Sequence, residues 1–168
     1  MHNKTRKLVF CALLSAAALT IGYAESLFPL PLPIPGARLG LSNALVLLTL
    51  LLFSWKEAAA VLFVKVILSA LLFGTPMSAL YAAAGGTLAL TAMSLLTRCK
   101  CISPVGQSVA GAVLHNLGQV FIAMALTATP RLILYFTPLA LLAMLTGTLS
   151  GTAGMHAHKL LAPVLRRK

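Results

Sequence analysis

Six apolar runs, each parted from the next by a few residues of turn chemistry, take up nearly the whole chain and restrict it to one kind of environment. The runs are 8–24, 39–53, 57–73, 76–97, 104–126 and 131–153. Most approach the 20 or so apolar residues that a membrane-spanning helix needs. The breaks between them are the Pro-rich Phe28-Pro29-Leu30-Pro31-Leu32-Pro33-Ile34-Pro35-Gly36, then Ser54-Trp55-Lys56-Glu57, Gly74-Thr75-Pro76, Cys101-Ile102-Ser103-Pro104 and Thr129-Pro130. Proline and glycine at those points stop one helix and start the next. With 60% hydrophobic residues and only two acids, Glu25 and Glu57, in 168 residues, no soluble fold could bury the apolar surface. The expectation is an all-α integral membrane protein, a single domain over 1–168 built as a bundle of about six transmembrane helices.

Charge distribution orients the bundle. With both termini cytoplasmic, the inner side collects Lys4, Arg6, Lys7, Lys56, Arg98, Lys100, Lys159, Arg166, Arg167 and Lys168, against Arg38 and Arg131 outside. Ten against two follows the positive-inside rule, and an even number of spans agrees with it. The formal charge of +11 therefore reports membrane orientation, not a nucleic-acid-binding stripe. An alternative for the first run is a cleaved signal peptide ending at Gly22-Tyr23-Ala24, which would leave five spans with the same loops. Cys11, Cys99 and Cys101 are odd in number, so they read as reduced thiols and not as a disulfide framework. Cys99-Lys100-Cys101 lacks the spacing and the four ligands of a structural zinc site.

Against this apolar background the polar residues stand out. Lys65 lies eight residues from either end of its run, near the bilayer centre, where a charge costs roughly 2.5–3.5 kcal/mol on insertion scales. Such a lysine pairs with an anionic ligand group or with Glu25, or else it snorkels towards the interface. In the fifth run, His115 and Gln119 lie about 40° apart on a helix and Asn116 about 100° from His115, which predicts one inward polar face. Interhelical hydrogen bonding is the competing role for that face. The second run is short, its fifteen residues rising only about 22 Å against a core of about 30 Å. Its outer end is expected to be irregular backbone lining a cavity. By depth, Glu25, Arg38, Asn43, Ser69, Tyr81, Asn116 and Gln119 fall in the outer half with Lys65 and His115 beneath, which predicts a capture site open to the outside. Gly85-Gly86, Gly147-x-x-x-Gly151 and Ala12-x-x-x-Ala16 read as small-residue seams for close helix packing.

Missing motifs narrow the chemistry. The chain has no G-x-x-x-x-G-K-[ST] phosphate loop with which to hydrolyse ATP. It has no aspartate at all, whereas prenyl transfer needs several carboxylates to hold the Mg²⁺ that binds diphosphate. The expectation is a protein that is not an enzyme, with no catalytic residue and no metal.

Four segments carry a family resemblance: Tyr23-Ala-Glu25-Ser26, Ile34-Pro-Gly-Ala-Arg-Leu-Gly-Leu-Ser-Asn43, Lys65-Val-Ile-Leu-Ser69 with Leu71-Leu-Phe-Gly74, and His115-Asn-Leu-Gly-Gln119. Together they resemble the Gx transporter family, also labelled heptaprenyl diphosphate synthase component I. That family is similar in turn to the substrate-binding S components of energy-coupling-factor vitamin importers. The resemblance implies six helices, ligand capture at the outer face beneath the loop joining the first two, and docking of a transmembrane coupling subunit on Ala12 and Ala16, driven by ATPases. It suggests ligand contacts at Arg38, Asn43, Lys65, His115, Asn116 and Gln119, with Glu25 a further contact or the partner of Lys65. The leading expectation is a substrate-binding membrane subunit for uptake of a small molecule such as a vitamin, flavin or quinone precursor, without a cofactor of its own. A self-sufficient carrier using Glu25, Lys65 and His115 for protons, and a non-catalytic accessory subunit of heptaprenyl diphosphate or quinone synthesis, are the alternatives.

Overall fold

The computed structural model describes residues 2–27, 40–99 and 102–166. Within them the chain is all helix: α1 (His2–Leu27), α2 (Asn43–Leu52), α3 (Trp55–Leu72), α4 (Pro76–Leu96), α5 (Pro104–Thr127), a 3-10 turn at Pro130–Tyr135 and α6 (Phe136–Arg166). The helix starts follow local chemistry. Thr75 and Ser78 form a reciprocal cap before Pro76, and the Ser103 hydroxyl accepts from Gly106 N–H ahead of Pro104. Ala128, in the left-handed conformation, terminates α5.

Side chains are sorted inside out relative to a soluble protein. Phe63, Leu71, Leu72, Leu141, Leu145, Leu149 and Leu160 are between 63% and 76% exposed, while Lys65, His115, Asn116 and Gln119 are at most 6% exposed. So much exposed apolar surface around a polar interior is stable only with lipid outside. Four helical stretches, Lys4–Leu27, Pro76–Leu96, Pro104–Thr127 and Pro130–Leu165, are long and apolar enough to cross a membrane. Of the other two helices, α3 carries Lys56, Glu57 and Lys65, and α2 has only 10 residues.

Short as it is, α2 is the hub of the bundle: it touches each of the other five helices, whereas α1 packs on α2 and α3. Val46, Leu47 and Leu50 of α2 join Leu62 of α3 and Leu90 and Met93 of α4 in the main apolar core. Small residues seat the longer helices. A Cβ on Gly118 of α5 would lie 2.8 Å from Gly85 Cα on α4, and a Cβ on Gly147 or Gly151 of α6 would lie 2.8 Å from Val109 Cα or 2.7 Å from Ser108 Cβ on α5. Backbones so close give the dispersion contact that drives helix association in lipid. Ser108 and Ser150 add a hydroxyl bridge of 3.0 Å across the same α5–α6 seam.

Helix bounds depart from the expected spans mainly at the C-terminal end. The last helix runs on from 153 to Arg166, with Pro163 inside it, giving 31 residues. Its length is about 46 Å, beyond a hydrocarbon core of about 30 Å, and its apolar character continues to Leu165.

Candidate functional site

The turn ahead of α2 builds the site. Gly40 has φ +79°, a left-handed conformation that only glycine adopts without strain. Its lack of a side chain also lets the turn sit on α5, since a Cβ there would lie 2.8 Å from the His115 ring. From this turn, Ser42 and Asn43 present their side chains to the buried Lys65 of α3. Lys65 Nζ donates to Asn43 Oδ1 at 2.8 Å and to Ser42 Oγ at 3.0 Å. Lys65 is 6% exposed, which excludes the snorkelling role open to a lysine at that depth. It falls on the inward stripe of α3, Ala58, Val61, Leu62, Lys65 and Ser69, at the helical spacing that keeps one face buried.

Opposite Lys65, Gln119 Nε2 and His115 Nε2 lie 2.6 Å apart, one turn from each other on α5. Gly85 makes room for the imidazole, since a Cβ there would lie 2.7 Å from His115 Nδ1. The end of α1 closes a third side. Glu25 Oε1 accepts the Leu41 N–H at 2.7 Å, tying α1 to the turn before α2. Its Oε2 is buried with no hydrogen-bond partner among the described residues. Glu25, Gly40, Ser42, Lys65, His115 and Gln119, with Ser69 and Ser78, line one cavity of about 20 Å³. That is room for about one water molecule, far below the 300 Å³ or more of a typical small-ligand site. Anything larger than water would fit only in a wider cavity.

Asn116 lies apart from this group. Its Nδ2 donates to the Leu139 carbonyl of α6 at 3.0 Å, so the 100° step from His115 carries it into the α5–α6 contact. Arg38 lies outside the described residues. Ser42, Ser69 and Ser78 are cavity residues that the polar-face reading did not select as contacts. The signal for Ser69 was its place one turn beyond Lys65 on the same stripe.

At the opposite end of α1, Lys7 pairs with Glu57 at 2.5 Å. Lys7 and Glu25 are 18 positions apart on one helix, about 27 Å along its axis. The two carboxylates of the chain therefore sit at opposite ends of the bundle, and no group of three or more His, Cys, Asp or Glu that could hold a metal occurs among the described residues. Cys11 and Cys99 are free thiols, and Cys101 lies outside the described residues.

The profile of the heptaprenyl diphosphate synthase component I family matches residues 14–157. The chain belongs to that family. The match spans α1 to most of α6 and so includes every cavity residue named above. Comparison with curated proteins gave no match, and comparison with solved structures gave none either. The family description names one component of a synthase, a part that works with others.

Proposed function

We propose that this family member is a substrate-binding membrane subunit that captures a small polar molecule for uptake, energised by partner proteins. The observation that carries the reading is the buried Lys65 at 2.8 Å from Asn43, facing His115 and Gln119 across an enclosed cavity with Glu25 at its rim. Burying a cation in the middle of a membrane helix is costly, and a ligand with an anionic or carbonyl-rich group would be favoured beside it. The reading places both termini in the cytoplasm, the cavity towards the outside, and Arg38 in the loop above it. Ala12 and Ala16 are exposed on α1 and line a groove of about 410 Å³ between α1 and α3. A coupling subunit would dock there, since close helix approach needs small side chains.

The family description favours a second reading, a non-catalytic accessory subunit of prenyl diphosphate synthesis. The separation of Glu25 from Glu57 argues against a catalytic part in it, because two carboxylates at opposite ends cannot share a Mg²⁺ ion. Reconstitution separates the readings. A substrate-binding subunit alone in liposomes binds a small molecule without accumulating it, whereas an accessory subunit changes prenyl chain elongation when mixed with a soluble catalytic partner. Accumulation by the protein alone under a pH gradient would instead identify a proton-coupled carrier.

A further inference from the structure

A second pocket opens at the other end of the bundle, where the start of α1, the end of α2 and the end of α6 meet. It measures about 590 Å³ and is lined by Lys4, Arg6, Lys7 and His158 over an apolar wall that includes Phe53 and Leu165. No acid is among its lining residues. The basic side chains are partly braced. Arg6 donates to the Val164 carbonyl of α6. Lys7 pairs with Glu57 and lies 5.8 Å from the centre of the Phe53 ring. Lys4 is exposed and His158 half-buried at the pocket wall, and neither side chain makes a hydrogen bond to another described residue.

The geometry points to a binding site for the phosphate headgroup of an anionic phospholipid. Cationic side chains over an apolar wall match an amphiphile whose head is anionic and whose tail is hydrocarbon. The pocket lies at the helix ends, where the headgroups of the adjacent leaflet are found, and basic pockets between membrane helices bind such headgroups. Free phosphate or diphosphate shares the headgroup's charge but would leave the apolar wall without a partner. Lipid seated here would bridge α1 to α6, which make no extended contact elsewhere.

The test uses the full chain in nanodiscs of equal parts phosphatidylglycerol and phosphatidylcholine, released and read by native mass spectrometry. The wild type should retain phosphatidylglycerol over phosphatidylcholine. Lys4→Gln should lower that preference about fivefold, the worth of one lysine at a membrane surface, and Lys4→Gln with His158→Gln should lower it further. Lys159→Gln, an exposed lysine outside the pocket, should leave it unchanged. Equal preference in the wild type and the double variant, or an equal loss in Lys159→Gln and Lys4→Gln, would overturn the site. Displacement of phosphatidylglycerol by an equal concentration of inorganic diphosphate would overturn the lipid assignment in favour of a soluble anion.

Discussion

Lys65→Met removes the charge on which the proposed capture site rests while keeping much of the side-chain stem. Two opposing effects act on folding. The change deletes the hydrogen bonds to Asn43 Oδ1 and Ser42 Oγ at 2.8 and 3.0 Å, each worth about 1.5–3 kcal/mol with a charged donor. It also relieves the roughly 2.5–3.5 kcal/mol cost of a charge at the bilayer centre. The lost bonds total about 3–6 kcal/mol, which leaves a net destabilisation between about zero and about 3.5 kcal/mol, so the variant should insert and melt at most about 10 °C below the wild type in detergent. Binding should respond differently, because truncating one partner of a buried charge pair costs about 2–5 kcal/mol, some 30-fold or more in Kd. If Lys65 only neutralises Glu25, the single change strands a buried carboxylate and lowers stability by about 3–5 kcal/mol. Adding Glu25→Gln should then restore both stability and binding. Melting curves and calorimetry on the single and double variants distinguish the cases. Full-affinity binding by Lys65→Met would refute the role given to this residue.

Gly40→Ala should lower the melting temperature and weaken binding, because alanine at φ +79° costs about 1–2 kcal/mol and its Cβ would press on the His115 ring at 2.8 Å; unchanged melting would show that the turn relaxes freely. Asn116→Leu should cost only about 0.6 kcal/mol, the average for an interhelical hydrogen bond in a membrane, and leave ligand affinity intact, whereas Gln119→Leu should reduce affinity. Calorimetry on that pair checks the separation of the two side chains. Ala12→Trp or Ala16→Trp should leave melting unchanged on an exposed face and abolish co-purification with a coupling subunit; retained co-purification in both would remove the groove from that role.

Much of the architecture was legible because lipid imposes a simple rule. Apolar runs became helices, and Pro76, Pro104 and Pro130 became helix starts, while the Pro-rich break at 28–36 lies outside the described residues. The short second run did announce irregular backbone at its start, which is the Gly40 turn. Its central position was not legible, since nothing in ten residues dominated by Leu, with Asn43 and Thr49 among them, says which neighbours surround it. Lys65 was conspicuous as a charge within an apolar run, and His115 with Gln119 as a one-turn polar pair. Asn116 was grouped with them because helical angle alone does not say where one interhelical contact gives way to another. Ser69 was placed in the polar outer half by depth but not chosen as a contact, because serine is common in membrane helices, where its hydroxyl bonds the preceding turn. Ser69 does this with Val66 while facing the cavity.

The central claim is that the Lys65 cavity holds a small molecule. Wild-type protein and Lys65→Met, each purified in mild detergent, incubated with a cellular metabolite extract and examined by native mass spectrometry, put it to the most direct test. The wild type should carry a small-molecule adduct that is missing from Lys65→Met, and identical adduct spectra from the two proteins, empty or occupied alike, would contradict the account.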